Sequence, residues 1–382
     1  MNRVTPLDAM DCARVLAEAS RERRPLRIAG GSTKAYLGDR AEADVEIATA
    51  GLRGIVDHVP ADLTVTVAAG TRIADLAAAL EGAGQLLPLD PPHAEAATIG
   101  GVIAANSNGF WRARFGGVRD LLIGTRTALP DGTVARAGGR VVKNVAGYDL
   151  DKLLVGSLGT LGVIVEATFK VLPQPSARGG MAARFADGSP ALAAANAISR
   201  SAARPEACVV ARRASGPWRL LVTASGANAT VDRTMGDARR EIASQRGSVE
   251  ELDGGLDDAR ELPARATTGA LVKVALPLAA TAAFAVAAVR FDSFAEVVAD
   301  VASGVIRIHL LGDEETVVAD AGALLLGSGV VGGTGRVERR EDHLRDRLPT
   351  WPSRPRGDAL MRRIKEAFDP NAILERGRAA FA

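Results

Sequence analysis

The chain is poor in the residues that bind clusters or cross-link a fold. Its 382 residues include two cysteines, Cys12 and Cys208, far apart and outside any Cys-x-x-Cys pair. That excludes a disulfide framework and a four-cysteine iron–sulfur cluster, and it fits a reducing, cytoplasmic setting. The four histidines, His58, His93, His309 and His343, are scattered, so no metal site is expected. Neither sign of charge predominates, with 47 basic and 45 acidic residues. A net charge of +2 argues against nucleic acid as a partner, which needs a concentrated basic surface. No apolar run approaches the ~18 residues of a membrane span, and the first residues lack a signal-peptide core. The most apolar stretch, 271–289, is interrupted by Lys273 and Pro277 and reads as a strand followed by a core helix. A Gly-x-Gly-x-x-Gly fingerprint opening a helix near the N-terminus and a Walker phosphate loop are both absent, so nicotinamide and nucleoside-triphosphate readings lose ground.

What is present is a mixed pattern. Residues 8–19 read as an amphipathic helix with Met10, Ala13, Leu16 and Ala17 on one face. Short strands are expected at 26–29 and 45–48. Residues 63–67 alternate strictly, Gly70 breaks the run, and Ile73, Leu76, Ala77 and Leu80 form a helical stripe closed by Gly82 and Gly84. Asp131-Gly132 is a hairpin signal. Every second residue from Val163 to Val171 is apolar, as in a half-buried strand. Leu172-Pro173-Gln174-Pro175-Ser176 reads as a linker. Beyond it, alanine-rich helices alternate with strands near 208–211, 220–223 and 305–311. Residues 358–368 form a helix stopped by Asp369-Pro370, after an irregular crossing at 351–355. The arginine-rich stretch 336–363 reads as a solvated or partner-facing surface, since acids and prolines interleave.

Three glycine loops carry the chemistry. The first is Arg27-Ile28-Ala29-Gly30-Gly31-Ser32-Thr33-Lys34. The second is Thr98-Ile99-Gly100-Gly101-Val102-Ile103-Ala104-Ala105-Asn106-Ser107-Asn108-Gly109, preceded by Leu89-Asp90-Pro91-Pro92-His93. The third is Gly156-Ser157-Leu158-Gly159-Thr160-Leu161-Gly162-Val163-Ile164. Small residues beside a rigid Pro-Pro step let backbone approach a bulky ligand closely. Exposed N–H groups and hydroxyls suit an anion such as a diphosphate.

Three such loops in this order resemble the FAD-binding domain of the vanillyl-alcohol oxidase family, also called the PCMH type. Val141-Val142-Lys143-Asn144-Val145-Ala146-Gly147-Tyr148-Asp149 narrows the likeness to the FAD-binding subunits of bacterial glycolate oxidase. The resemblance implies an α+β chain in three parts: a two-part FAD-binding domain (1–175), a smaller α+β cap (176–340), and a C-terminal segment with a helix returning to the first domain (341–382). It implies FAD held through Gly30, Gly31, Ser32, Thr33 and Lys34, through Pro91, Thr98, Gly100, Gly101 and Asn106, and through Gly162 and Ile164. Many relatives bind the flavin covalently through a histidine in the first loop. Gly31-Ser32-Thr33 offers none, so noncovalent FAD is expected, with Gly101 lying against it.

Alternatives stay open at several residues. Lys34 is either a solvated loop lysine or a phosphate neighbour. Weak catalytic candidates are His93, before the second loop, Tyr148, and His309, which shares a strand face with Arg307. For His93 the competing reading is a structural role, and for Tyr148 a hydrogen-bonded turn. The histidine cluster and acidic His-Gly-Asp-Gly motif of active 2-hydroxy-acid dehydrogenases in this superfamily are not found here. The tail at 365–378 resembles the superfamily's C-terminal signature, except that Glu375-Arg376-Gly377 replaces Asn-Pro-Gly, which predicts a looser loop. The likeness further implies oxidation of glycolate or another small 2-hydroxy acid within a complex. The partners would be a second FAD-containing subunit and an iron–sulfur subunit, in the cytoplasm or peripheral to the inner membrane through that complex. A non-catalytic flavin-bearing scaffold or electron relay, and a stand-alone FAD oxidase, are the competing readings.

Overall fold

The computed structural model describes residues 1–39, 42–139, 148–202, 204–351 and 357–379. The chain divides into two units. Unit 1 comprises 1–108, 116–174 and 353–382, and unit 2 comprises 109–115 and 175–352. This division departs from the expected 1–175, 176–340 and 341–382 in two stretches. Residues 109–115 leave the first unit for the second, and 341–352 stay with the second.

Unit 1 is built on a five-stranded antiparallel sheet in the order Ile55–Val59, Thr64–Ala68, Val163–Lys170, Leu122–Ala128, Val134–Gly138. The strand Val163–Lys170 is central, so it is buried on both faces, with Phe169 and Val163 fully enclosed. That is why the alternation read from the sequence understates its burial: only Glu166 and Lys170 escape being buried. The Asp131-Gly132 turn closes the next hairpin, with Gly132 at φ 88°, where a side chain is disfavoured. On one sheet face Phe169, Val65 and Val67 pack with Leu76 and Leu80 of the helix Ile73–Glu81 and with Ile99 and Ile103. On the other face Val163 and Val165 pack with the helix Ala9–Arg21 and a three-stranded parallel sheet (Asn2–Val4, Val45–Ala48, Leu26–Ala29). Asp8 caps that helix by accepting from the Asp11 amide at 2.8 Å. Its buried stripe runs through Ala9, Cys12, Ala13, Leu16 and Ala19. Met10, expected on that face, is 65% exposed, because the stripe centres on Cys12 rather than on Met10.

The C-terminal segment completes unit 1. Leu26 N–H donates to the Ile373 carbonyl at 2.7 Å, and Glu375 N–H donates to the Leu26 carbonyl at 2.9 Å. The Glu375 carboxylate accepts from the Ile28 amide at 2.6 Å and is 2% exposed. Burial pushes this carboxyl up, against the pull of Arg378, the Ile28 amide, Arg27 and Lys365. The expected looser loop is therefore corrected: Glu375 ties the tail to the first glycine loop. Deeper still, Lys365 donates to Asp369 at 2.5 Å, to the Leu374 carbonyl at 2.9 Å and to the Thr160 carbonyl of the third loop at 3.0 Å.

Unit 2 is an eight-stranded antiparallel sheet, ordered Ser248–Glu250, Ala177–Phe185, Trp218–Gly226, Ala207–Arg213, Phe294–Asp300, Val305–Leu310, Ala270–Ala275, Thr334–Arg340. One face carries the helices Gly188–Ser199, Asn228–Ser244, Leu278–Ala288 and Glu314–Val330 over a core that includes Val210, Leu220, Val272, Ile306 and Ile308. The arginine-rich stretch begins as the edge strand of this sheet. Arg340 is buried and donates to Thr350 Oγ1 at 2.7 Å, and Arg339 donates to the Pro263 and Ala264 carbonyls. At these positions a solvated surface is thus corrected to internal hydrogen bonding. Among the described residues no helix is long and apolar enough to cross a membrane.

Removing the Lys365 ammonium leaves the Asp369 carboxylate, 1% exposed, without its counter-charge. Lys365→Met should destabilise unit 1 by about 3–5 kcal/mol. The double change with Asp369→Asn should recover part of that loss. Thermal melting of the full chain, followed through the flavin and by circular dichroism, checks both.

Candidate flavin site

The three glycine loops converge on one short helix, Ile99–Ala105. Loop one meets the residues just before it. A Cβ added at Gly30 would stand 2.1 Å from Thr98 Oγ1, and one at Gly31 would stand 1.8 Å from the Ala96 carbonyl oxygen. Loop three meets its far end. Gly156 N–H donates to the Ile103 carbonyl at 3.0 Å, and Leu158 N–H to the Ala104 carbonyl at 2.8 Å. The Pro-Pro step is fixed to loop one by Lys34, whose ammonium donates to the Pro92 carbonyl at 2.7 Å and to Thr33 Oγ1 at 3.2 Å. Lys34 is 8% exposed, which removes the solvated-lysine reading. Pro91 and Pro92 are buried.

The donors for an anion lie in loop one. Gly31 and Ser32 are exposed, and Ser32 takes φ 55°. Among the described residues, the amides of Gly31, Ser32 and Thr33 meet no backbone acceptor. Successive unengaged amides at a turn of this kind form a concavity suited to phosphate oxygens. Loop two differs from expectation. The Ile99 and Gly100 amides are already taken by the Thr71 and Ala69 carbonyls at 2.9 and 2.8 Å, and Thr98 Oγ1 accepts from Gly101 N–H at 3.4 Å. Loop two therefore supplies room rather than donors. Gly100 is explained by packing, since a Cβ there would stand 3.0 Å from the Ala69 Cβ. Gly101 is not: its added Cβ would meet Thr98 Oγ1 alone, at 3.1 Å, and otherwise open space. Asn106 ends the helix at φ 46°, exposed, and its side chain accepts from Asn108 at 2.9 Å. Gly162 packs against Thr127, and Ile164 is 6% exposed within the core. These observations fit a diphosphate-linked flavin: amides for the charge, and a bare backbone strip beside them.

Of the weak catalytic candidates, His93 and Tyr148 belong to unit 1 and His309 to unit 2. His93 is half-buried at φ 57°, and its carbonyl accepts from Ala96 and Ala97. Tyr148 is 90% exposed. The rest of the string that contains it, 141–147, lies outside the described residues. His309 is buried in unit 2 with Nε2 at 2.8 Å from the Thr268 carbonyl; burial holds its pKa below the usual value, opposed by that hydrogen bond.

Unit 2 contains a charged cluster that sequence reasoning missed. On the sheet face away from the helices, Lys273 stands opposite Arg307 on one neighbouring strand and Arg336 on the other. All three surround Glu338: Arg307 at 2.7 Å, Arg336 at 3.5 Å and Lys273 at 3.8 Å. Burial would raise the Glu338 carboxyl, but Arg307, Lys273 and Arg336 hold it below the usual carboxylate range. Burial pulls Lys273 down to about 7. Glu338 opposes this, while Arg307, Arg336 and Arg112 reinforce it. Asp300, 4% exposed, is pushed up to about 6 by burial against the Ser303 hydrogen bond, Arg112 and Arg307. Among the described residues, Lys273, Arg307 and Arg336 are thus grouped around one carboxylate, Glu338. The available signal was a lysine inside the apolar strand Ala270–Ala275.

The first two of these loops lie in a segment that matches an FAD-binding domain. Residues 3–138 match the family described as FAD binding domain. Over 98% of its length the chain superposes on p-cresol methylhydroxylase with substrate bound, covering 88% of that chain with a TM-score of 0.76 at 17% identity. Among curated proteins, it is 46% identical over 161 residues to glycolate oxidase subunit GlcE of Escherichia coli (strain K12), spanning 42% of this chain and 46% of that protein. It is 35% identical over 176 residues to glycolate oxidase subunit GlcD of Bacillus subtilis (strain 168), spanning 46% of this chain and 37% of that protein. The matched segments thus cover less than half the length of these relatives.

Gly101→Val should leave the apo fold intact and lower FAD content at least tenfold, with melting reduced only by the lost ligand linkage. Gly31→Val should disrupt the loop itself, because the new side chain would strike the Ala96 carbonyl. Flavin content and apo-protein melting, measured on both variants, separate cofactor space from packing.

Proposed function

We propose that the chain is the FAD-binding subunit of a cytoplasmic 2-hydroxy-acid dehydrogenase complex acting on glycolate. The observation that carries this reading is the convergence of three glycine loops on the helix Ile99–Ala105, in a chain 46% identical over 161 residues to a glycolate oxidase subunit. When bound, FAD supplies a two-electron acceptor for the hydride on the substrate's α-carbon. The chain's part is to hold the cofactor and to fix an anionic substrate. The loop-one amides of residues 31–33 take the diphosphate, and the first loop's lack of histidine leaves the flavin noncovalent. In unit 2, Arg307, Arg336 and Lys273 form a cationic group matched to a carboxylate. Electrons leave through an iron–sulfur partner, because Cys12 and Cys208 are single, buried thiols.

One observation favours the relay reading. His309 is committed to the Thr268 carbonyl and Tyr148 points to solvent, so neither is placed as a base. In that reading a second flavoprotein subunit oxidises the acid. Anaerobic mixing of the purified holo-chain with glycolate distinguishes the two. Bleaching of the flavin by the chain alone supports the catalytic role, and bleaching only after partners are added supports the relay. Turnover with oxygen by the isolated chain at ordinary enzymatic rates overturns the complex.

Two further outcomes are expected. Acid precipitation should release FAD into the supernatant, and flavin left on the denatured chain contradicts noncovalent binding. Glycolate affinity, measured by calorimetry, should be greatest below pH 7, where Lys273 is an ammonium, and should fall as pH rises through about 7. Arg307→Met should weaken glycolate at least tenfold.

A further inference from the structure

The cationic group of unit 2 contains one member that can change its charge. Lys273 lies within the strand Ala270–Ala275, directly opposite Arg307 on one side and Arg336 on the other. One Glu338 oxygen is taken by Arg307 at 2.7 Å, and the other lies nearer to Arg336, at 3.5 Å, than to Lys273, at 3.8 Å. That last distance is too long for a hydrogen bond, and among the described residues the Lys273 ammonium makes none. Arg112, on the segment 109–115, adds a further like charge toward Lys273. The other carboxylate on this sheet face, Asp300, is coupled to Arg112 and Arg307.

Three positive groups around one carboxylate leave a surplus, which can be relieved in two ways. An anion can enter, or a cation can give up its proton. The guanidinium groups of Arg307 and Arg336 cannot do so. Lys273 can, and a neutral lysine amine is a nucleophile toward carbonyl carbon. Its side chain is 21% exposed, so it is not sealed from small molecules. A small anion that also carries a carbonyl group meets both conditions at once.

We propose that Lys273 is a carbonyl-binding residue that condenses reversibly with a small 2-oxo acid, glyoxylate being the member of that class made by oxidising glycolate. The ligand's carboxylate lies against Arg307 and Arg336, and Arg336 is steadied over the Trp351 ring at 5.6 Å. The amine nitrogen attacks the carbonyl carbon. A C–N double bond replaces the C–O double bond, and the carbonyl oxygen leaves as water with the amine's two hydrogens, so nothing is oxidised or reduced. Glycolate has no carbonyl outside its carboxylate and cannot take this step. The same cations therefore hold the 2-hydroxy acid by charge alone and its oxidised product by a covalent bond as well. The choice of glyoxylate rests on the glycolate reading above; the reactivity of the amine does not. Burial, with Arg307, Arg336 and Arg112, brings Lys273 down to about 7 against the pull of Glu338. Condensation should therefore strengthen as pH rises through about 7, where glycolate weakens.

The test uses the purified full chain with FAD bound, incubated with glyoxylate and cyanoborohydride, which reduces an imine to a stable carboxymethyl-lysine. Peptide mass mapping then reads the chain's six lysines separately. Lys273 should be modified faster than the exposed Lys170, and increasingly so as pH rises through about 7. With acetaldehyde, which lacks the carboxylate, the preference for Lys273 over Lys170 should fall at least about tenfold, as expected from losing one hydrogen bond to a charged group. Lys273→Arg keeps the charge and should remove the fast adduct while leaving flavin content and the modification of Lys170 unchanged. An unmodified Lys273, a Lys273 modified no faster than Lys170, or an equal preference with acetaldehyde overturns the proposal. Glyoxylate is added directly, so failure of glycolate to bleach the flavin, with or without partners, counts against the glycolate reading and not against the adduct.

Discussion

Everything in unit 1 depends on the stitching of one seven-residue helix, Ile99–Ala105, at both ends. Its first amides are held by Thr71 and Ala69, and its last carbonyls hold Gly156 and Leu158. Such a short helix has little stability of its own. Here it is fixed because each end exchanges backbone hydrogen bonds with a separate part of the sheet's connections. Loop one then has a rigid surface to lie against, at distances that exclude a side chain at Gly30 and Gly31. The amides left over at residues 31–33 are a product of that packing rather than a separate device.

The cationic group in unit 2 rests on a similar economy of means. Its three cations come from three adjacent strands at matched register, so the sheet itself sets their spacing. Glu338 satisfies part of the charge without cancelling it. Burial, reinforced by Arg307, Arg336 and Arg112, lowers Lys273 to about 7, which couples any anion held there to pH.

Much of this was legible in the sequence, for a physical reason. Glycine loops mark places where backbone conformation and close approach leave no room for a Cβ, and that constraint is local. The hairpin at Asp131-Gly132, the helix stripe at Ile73, Leu76 and Leu80, and the apolar strand 163–171 are local in the same sense. The misses are all non-local. Met10 was placed on the buried face because periodicity gives a stripe's spacing but not its centre. Glu375 was read as a looser substitution, yet its carboxylate reaches an amide 347 positions away. The sequence around Lys34 suits solvent and phosphate alike, and only the fold shows that its ammonium spans to the Pro92 carbonyl. The Arg336–Arg340 run looked like a surface because composition cannot say which strand lies next to it.

The discontinuity of unit 1 has a consequence for how the protein is made. Residues 373–376 supply the bridge to Leu26 and the carboxylate on Ile28, and Lys365 fastens the third loop, but all are synthesised after the whole of unit 2. While the chain emerges from the ribosome, unit 2 can close on all its strands before unit 1 has its back wall. The wall of the flavin cradle is therefore completed only after the whole of unit 2 has been made.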